Sequence, residues 1–394
     1  MEKRQARFLA VIVTVVFMFI LSAVAALRTI HSVLSNQTFY YFWLFITVVG
    51  QGPFIIIPLD RGKTMRFIMD HLPQWILQLV VSVPVTNVLM LPLCLFLTLM
   101  PQPDKLYDIL PFVLLAAVNL LMFNSASRII QRRFVIPLEG LPENWKPLSI
   151  LHLSDIHAGP FMRPGRLEEV VAMLNEKVVF DICLITGDIV NHQSQDLLWA
   201  LPALEKLKCD MGTFACLGNH EYIDDEKNIL RIFKRSSIRL LRDESVIVAD
   251  KNHRIHLIGV DFPFEKEQAN SIAVGKAIDN IVSLSESPSE EPAKSLKGDL
   301  KMLMSHHPDT FTTARRLGIP LTFSGHTHGG QIIVMGVNIG GRLYKYKRGI
   351  YRRKDKFLYV NSGLGNWMPF RINCPCEYAV ITVIRKEDDT DARA

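Results

Sequence analysis

Five short polar motifs constrain the fold of this chain most, because each directly follows an apolar, strand-like run. The motifs are Ser154-Asp155-Ile156-His157, Thr186-Gly187-Asp188, Leu217-Gly218-Asn219-His220-Glu221, Ser305-His306-His307-Pro308 and Gly325-His326-Thr327-His328. Each alone is a weak signal, since Gly-Asp usually marks a turn and Asn-His a loop. Ligand sites of α/β sheets gather at the carboxyl ends of strands, so we expect these motifs to meet at one edge of a sheet.

Strand-like runs alternate with helical patterns through the C-terminal part of the chain. The apolar runs are 148–153, 181–186, 213–217, 255–260, 301–305, 321–323, 357–360 and 378–384. Helical patterns lie between several of them, at 166–178 and 196–207. This alternation predicts a layered α/β domain with sheet at its centre. We place the domain at residues 148–386, with a polar surface insertion at 283–298 and a polar tail at 387–394.

The spacing of His326 and His328 indicates a loop, because two histidines on one helix face need a separation of three or four. A tight glycine turn can direct the two rings at neighbouring ions. From the five motifs, three carboxylate or carboxamide oxygens and four imidazoles can be drawn together. Such a mixed set of ligands suits two octahedral or five-coordinate sites for divalent ions.

The ordered set D-x-H, G-D, G-N-H-E, H-H-P and G-H-T-H resembles the calcineurin-like metallophosphoesterase superfamily. The resemblance covers nearly the whole predicted domain and implies a four-layer α-β-β-α sandwich. The stretches Gly329-Gly330-Gln331 and 359–365, and Arg371 before Cys374-Pro375, are similar to a membrane-associated branch. That branch includes the chlamydial-type UDP-2,3-diacylglucosamine pyrophosphatase, and multi-spanning animal relatives carry a similar domain.

The resemblance implies seven metal ligands and one catalytic histidine. The ligands of one metal are Asp155, His157 and His328. The ligands of the other are Asn219, His306 and His326. Asp188 bridges both metals, and His220 stabilises the transition state or protonates the leaving oxygen. The adjacency of His306 and His307 leaves open which of the two coordinates.

The implied cofactors are two divalent metal ions, manganese first, with iron, zinc or nickel as alternatives. Two such ions lower the pKa of a shared water, so that hydroxide attacks phosphorus in line without a covalent enzyme intermediate. Loss of Asp188 should then have the largest effect, because both ions depend on it. Every position of the motif set is filled, which argues against an inactive homologue.

Four apolar runs precede this domain, at 8–27, 39–59, 74–100 and 109–127, and none contains Asp, Glu, Lys or Arg. Each is long enough to cross ~30 Å of hydrocarbon as a helix. The mean hydropathy of +0.20 agrees with membrane spans. We therefore predict a four-helix transmembrane domain at 1–134 and a Pro- and Gly-containing linker at 135–147. A cleaved signal peptide is the alternative for the first run, although that run is longer than usual.

Lysine and arginine cluster before the first run, between the second and third, and after the fourth. The positive-inside rule then predicts an integral, multi-pass protein whose N-terminus and catalytic domain face the cytoplasm, at the inner or plasma membrane if the source is bacterial. Six cysteines agree weakly with a reducing compartment. The roles of Cys374 and Cys376 are left open.

A basic segment at 341–356 follows the last motif and carries interleaved tyrosines. A solvated hairpin and a contact with anionic groups are both compatible with it. The predicted substrate or membrane contacts are Arg342, Lys345, Lys347, Arg348 and Arg371. The predicted partners are a phospholipid bilayer and a lipid-linked or nucleotide-linked phosphoester. Nucleic acid is not expected, because a membrane tether would keep the site from it.

The sequence thus predicts a membrane-embedded hydrolase of a phosphodiester or pyrophosphate bond, with a substrate such as UDP-2,3-diacylglucosamine. A hydrolase of soluble phosphoesters and a non-enzymatic membrane module are the alternatives. The motifs do not specify the substrate, the native metals or the oligomeric state.

Overall fold

A computed structural model describes most of the C-terminal two thirds of the chain and isolated parts of the rest. The described residues are 37–38, 40–48, 73, 76, 78–79, 82–83, 86–87, 106–177, 179–262, 299–334, 336–367 and 371–386. The chain divides into two compact units. One comprises 1–126 with 369–373, and the other comprises 127–368 with 374–394. The predicted insertion at 283–298 and tail at 387–394 lie outside the described residues.

The predicted four-helix transmembrane bundle, and with it the multi-pass membrane localisation, is wrong. Among the described residues, no helix combines the length and the apolar character needed to cross a membrane. The run 8–27 lies outside the described residues, and 39–59 and 74–100 are described only in part. The run 109–127 belongs to the helix Leu106–Ser127.

The absence of charge in 109–127 was a misleading criterion, because the run contains other polar residues. Its apolar portion from Ile109 to Phe123 covers about 22 Å at 1.5 Å per residue, less than ~30 Å of hydrocarbon. Asn119 interrupts even that portion and donates to the Ser82 hydroxyl at 2.6 Å and to the Leu115 carbonyl at 2.9 Å. The polar side chain therefore serves packing within its own unit.

The larger unit is an α/β structure built on two six-stranded mixed sheets, so the α/β part of the predicted fold is confirmed. Its strands are β1 (Ile129–Leu138), β2 (Leu148–Leu153), β3 (Ile182–Thr186), β4 (Thr213–Cys216), β5 (Arg239–Leu240), β6 (Glu244–Ala249), β7 (Arg254–Gly259), β8 (Leu300–Met304), β9 (Leu321–Ser324), β10 (Ile333–Val334), β11 (Val337–Asn338), β12 (Gly349–Arg353), β13 (Lys356–Val360) and β14 (Cys376–Arg385). Its helices are Pro164–Lys177, Leu197–Leu204, Glu226–Phe233 and Phe311–Arg316.

The first sheet has the order β1-β14-β2-β3-β4-β5 and the second the order β12-β13-β9-β8-β7-β6. Strands β2, β3 and β4 run parallel in the first sheet, and β7, β8 and β9 run parallel in the second. The carboxyl ends of these two sets carry the polar motifs. β1 covers residues first assigned to the membrane domain and the linker, and it pairs in parallel with β14.

The main core lies between the two sheets, where each contributes fully buried apolar side chains. Ile150 and Leu184 of the first sheet pack in one cluster with Leu257, Met302 and Phe323 of the second. A second cluster packs the helices Pro164–Lys177 and Leu197–Leu204 against the other face of the first sheet. The helix Phe311–Arg316 contributes Ala314 to a smaller cluster on the second sheet. Two rigid sheets thus hold the motif loops.

Candidate metal centre

The loops that follow β2, β3, β8 and β9 are tied together by backbone hydrogen bonds. The Asp155 N–H donates to the Gly187 carbonyl at 3.0 Å, and the Gly325 N–H donates to the His306 carbonyl at 3.1 Å. The His326 N–H donates to the Asp155 carboxylate at 3.1 Å. The first two bonds each join loops of one sheet, and the bond from His326 to the Asp155 carboxylate joins the two sheets, so the motifs from both sheets form one site.

One group of potential ligands consists of Asp155, His157, Asp188 and His328, with one donor atom of each within 4.8 Å of the others. The Nε2 atoms of His157 and His328 lie 3.0 Å apart. His328 Nε2 lies 3.2 Å from Asp155 Oδ1, and His157 Nε2 lies 3.8 Å from Asp188 Oδ2. All four residues are at most 5% exposed.

A second group consists of Asp188, His306 and His326, so Asp188 belongs to both groups. His306 Nε2 lies 3.1 Å from Asp188 Oδ2. Asn219 adjoins this group, because its Oδ1 lies 2.9 Å from His326 Nδ1. The structure therefore brings all seven predicted ligands to one place.

The orientation of His306 indicates that a cation belongs between it and Asp188. Its Nδ1 lies 2.6 Å from the Thr186 carbonyl, which can only accept, so Nδ1 carries a proton. In the neutral ring Nε2 is then a bare acceptor facing a carboxylate oxygen, and it makes no hydrogen bond among the described residues. A proton or a metal ion would relieve this repulsion, so the residues fit the implied divalent ions.

His306 rather than His307 contributes to the group of potential ligands. His306 is fully buried, whereas His307 is half-buried. The Nδ1 of His307 accepts from the Asp309 N–H at 3.2 Å and caps the 3₁₀ turn Pro308–Thr310. That contact directs His307 to the local backbone.

The backbone adopts left-handed conformations at five of the potential ligands, at φ between 47° and 69°. These are Asp155, His157, Asp188, His326 and His328. Non-glycine residues occupy this region infrequently, and each costs roughly 1–3 kcal/mol in sparsely populated regions. Such strain persists where surrounding structure imposes it, and it clusters at functional sites.

Two motif glycines are required by close approach. A Cβ on Gly218 would lie 2.2 Å from Asp188 Oδ1, and one on Gly325 would lie 1.9 Å from Ser154 Oγ and 2.1 Å from Asp155 Oδ2. Real Cβ atoms do not approach other atoms this closely. The glycines of G-N-H-E and G-H-T-H therefore let the loops pack directly onto the carboxylates.

Glu221 is a positioning residue that the sequence motif contained but to which no role was assigned. Its carboxylate is 1% exposed. Oε2 accepts from the N–H groups of Gly218 at 2.7 Å and Asp188 at 2.9 Å. Oε1 accepts from those of Ile189 at 2.7 Å and Val190 at 3.1 Å. One buried side chain thus fixes the loops that carry Asp188 and Asn219.

The charges of the site oppose the effects of burial. Burial raises the pKa of Asp188, whereas the neighbouring His306 and His220 lower it. The pKa of Asp188 ends well below its usual range. Burial lowers the pKa of His306, but the charges of Asp188 and Asp155 raise it to about 10. Burial and, to a lesser degree, the nearby charge of Asp188 raise the pKa of Asp155 to about 6, against the lowering effect of His306. The metal-free site therefore holds protons that metal ions would displace.

His220 lies beside the first group with a defined tautomer. Its Nδ1 is hydrogen-bonded to the Asn191 carbonyl, so Nδ1 carries the proton and Nε2 is the acceptor in the neutral ring. The backbone N–H of His220 donates to Asp188 Oδ1 at 2.9 Å. The ring centroid of His220 lies 4.6 Å from that of His157. His192, which sequence reasoning missed, stacks on the other side at 5.6 Å.

The predicted substrate contacts are dispersed. The Thr327 hydroxyl donates to the Lys347 carbonyl, which ties the basic segment to the metal-centre loop. Arg348 Nη1 lies 3.8 Å from Cys374 Sγ, and that thiol contacts the His328 carbonyl at 3.4 Å. Lys345 is exposed and donates to the Thr312 hydroxyl. The Arg342 side chain lies outside the described part, and Arg371 is 0% exposed in the smaller unit.

Comparison with known proteins identifies the class of domain that carries this centre. Residues 148–330 match the family of calcineurin-like phosphoesterases. An uncharacterised metallophosphoesterase of Aquifex aeolicus is 29% identical over 64% of this chain and 90% of the relative. One of Helicobacter pylori (strain J99) is 30% identical over 61% of each chain. A protein of Escherichia coli named a phosphodiesterase is 25% identical over 61% of this chain and 84% of its own length.

Residues 148–330 of the chain therefore form a calcineurin-like metallophosphoesterase domain. The family consists of metal-dependent hydrolases that use two metal ions. The match with the Helicobacter relative spans 61% of that protein. The sequence similarity therefore covers part of each chain and not its whole length.

Proposed function

We propose that this protein hydrolyses phosphodiesters at the centre formed by the two ligand groups. The observation that carries the proposal is the position of Asp188, which lies in both groups and is 2% exposed. A carboxylate shared by two clusters of imidazoles and oxygens is what a dinuclear site requires. The named phosphodiesterase of Escherichia coli supports the choice of bond.

The seven side chains Asp155, His157, Asp188, Asn219, His306, His326 and His328 would hold the two ions. Bound divalent ions supply Lewis acidity at a phosphoryl oxygen and a nucleophile at neutral pH. Side chains of the protein position the ligands and exclude water. Glu221 keeps Asp188 in place through backbone N–H groups, and burial excludes bulk water from the ligands.

His220 is positioned to handle a proton. Because Nδ1–H is held by the Asn191 carbonyl, Nε2 is the atom that takes up or releases a proton. Protonated Nε2 would donate to the leaving-group oxygen, or to a phosphoryl oxygen as its charge grows. The N–H contact with Asp188 fixes the distance between this acid and the metal ligands.

The test is hydrolysis of bis(p-nitrophenyl) phosphate by the purified full-length chain with manganese, with Asp188→Asn as the blank. We expect turnover that chelation abolishes and that the Asp188 variant lacks. p-Nitrophenyl phosphate, a monoester, serves as the matched substrate. Absence of diester cleavage by folded, metal-loaded protein contradicts the proposal, and faster cleavage of the monoester reassigns the activity.

The lipid-linked substrate stays a prediction from the resemblance of the motifs. UDP-2,3-diacylglucosamine is its specific form, and release of UMP with a lipid monophosphate is the product pattern to measure. If only the aryl diester is cleaved, the phosphodiesterase assignment stands and this substrate is excluded.

A further inference from the structure

Two half-buried aromatic rings, Phe262 and Tyr344, flank His326 at the rim of the metal centre. The ring centroid of Phe262 lies 5.4 Å from that of His326 and 5.8 Å from that of His306. The ring of Tyr344 lies 5.8 Å from His326 at an interplanar angle of 87°. The two rings therefore border the second ligand group, and each is partly exposed rather than enclosed in the sheet core.

Phe262 is held in position by a charged network. Its N–H donates to Asp261 Oδ1 at 3.0 Å. Asp261 Oδ2 accepts from Arg242 Nε at 2.9 Å and from Arg242 Nη2 at 2.7 Å, and the Tyr222 hydroxyl also donates to Asp261. Tyr222 ends the 3₁₀ turn that begins at His220. The network thus connects the position of Phe262 to the turn that carries the proposed acid.

Tyr344 is positioned from the other side by the basic segment. Its N–H donates to the Gly341 carbonyl at 3.2 Å. Three residues later, the Lys347 N–H donates to the Tyr351 hydroxyl at 2.7 Å, and the Lys347 carbonyl accepts from Thr327. Thr327 lies between two of the potential ligands. Both aromatic rings are therefore tied to the loops of the site, which reduces the entropy lost when a ligand packs against them.

We propose that Phe262 and Tyr344 bind a planar aromatic group of the substrate, so that phosphodiesters with an aryl or nucleoside group are the preferred class. This inference rests on the proposed phosphodiesterase activity of the adjacent centre. Ligand sites combine apolar and aromatic walls with a few placed polar groups, and aromatic rings favour stacked or edge-on contacts. Loss of such a contact should weaken binding about 10-fold.

The test is calorimetric binding of matched ligands to the manganese-loaded full-length chain. Phenylphosphonate is compared with ethylphosphonate, and thymidine 5′-monophosphate with 2-deoxyribose 5-phosphate. Each pair shares its anionic group and differs in the aromatic ring. We expect the aromatic member of at least one pair to bind about 10-fold more tightly. The pair that shows the preference identifies the source of the ring as aryl or nucleobase.

Phe262→Leu and Tyr344→Leu should each reduce that preference to about threefold or less, because leucine keeps apolar volume and loses the ring. Tyr344→Phe is the matched control, since it removes only the hydroxyl, and it should keep the preference. Equal binding within both pairs by the wild-type protein overturns the inference without any variant. So does a preference that both folded leucine variants retain.

Failure of this inference can be told from failure of the proposed activity, because binding is measured without turnover. If the protein cleaves bis(p-nitrophenyl) phosphate but binds the two members of each pair equally, only the proposed aromatic binding site is contradicted. Absence of cleavage removes the proposed activity and the substrate class that depends on it.

Discussion

The Nε2 atoms of His157 and His328 lie 3.0 Å apart at the base of the metal centre. Two neutral imidazoles tolerate this approach only if one nitrogen donates to the other or if a cation accepts both lone pairs. Asp155 and Asp188 lie beside the pair, at 3.2 Å from His328 and 3.8 Å from His157. Opposed acceptors beside carboxylates make this arrangement suited to a cation.

Metal content should therefore depend on Asp188. We expect about two divalent ions per wild-type chain and fewer than one in Asp188→Asn, because a single variant weakens both ligand groups. The measurement is elemental analysis of protein loaded with manganese and then desalted. Asp210→Asn, at an exposed position, is the control and should retain the wild-type content. Equal metal content in the two variants would contradict the shared role of Asp188.

Metal binding should release protons above neutral pH. The pKa of His306 is raised from its ordinary value to about 10. Protonation of His306 therefore stabilises the metal-free fold fully at a pH below that ordinary value, and this stabilisation is lost as the pH rises through about 10. At pH 8 Asp155, with a pKa of about 6, is already ionised. Metal ligation then displaces at least one proton, from His306, and metal affinity should rise with pH up to about 10.

Calorimetry in two pH 8 buffers of different ionisation enthalpy measures that proton release. The heats should differ by at least one buffer ionisation per chain in the wild type and by about one ionisation less in His306→Asn. Identical heats in the two buffers for the wild-type chain would show that His306 is not the site of the bound proton.

Glu221→Gln should destabilise the larger unit by about 2 kcal/mol or more. The carboxylate now accepts hydrogen bonds from four backbone N–H groups. The amide nitrogen of glutamine would face two of these N–H groups, and those two buried donors would lose their acceptor. Urea unfolding measures the loss. Glu205→Gln is the matched control, because this exposed carboxylate accepts from the Ser236 hydroxyl at 2.6 Å and the Ser237 N–H at 2.8 Å. We expect it to cost less than about 1 kcal/mol, and equal effects would refute a special role for Glu221.

The parts of the site that could be predicted are those specified by local sequence. Asp155, Asp188 and His306 follow buried strands directly, so the carboxyl ends of parallel strands bring them together. The placement of Phe262 and Tyr344 beside His326 could not be predicted in this way. Their positions depend on how the loops after β7 and β11 pack beside His326, which no short motif encodes.

The fold was predictable to a similar extent. The alternation of strands and helices indicated an α/β domain, but β1 was missed because its partner β14 lies almost 250 residues away in the chain, as Ile129 pairs with Cys376. The membrane bundle was predicted from the absence of charge and the length of the apolar runs. Asn119 shows why this failed, because an uncharged polar side chain both shortens an apolar stretch and packs through hydrogen bonds.

His220→Asn should lower kcat about 10²- to 10⁴-fold while metal content stays at the wild-type value. The hydrogen bond from His220 to Asp188 comes from the His220 backbone N–H, which asparagine retains. The measurements are steady-state hydrolysis of bis(p-nitrophenyl) phosphate and elemental analysis of the same sample. A variant that loses metal in proportion to activity would place His220 among the positioning residues instead.

Gly325→Ala should abolish metal binding and destabilise the fold by about 3 kcal/mol. The new Cβ would overlap Ser154 Oγ and Asp155 Oδ2, which are fully buried and hydrogen-bonded to each other in the loop after β2. Gly165→Ala is the matched control, since nothing lies within 4 Å of its Cβ and it belongs to the helix Pro164–Lys177. It should leave unfolding within about 1 kcal/mol of wild type and metal content unchanged. A Gly325 variant that still bound two ions would show that the loop after β9 can move away from Asp155, and the rigid packing of the two carboxyl-end loops would then not be what defines this centre.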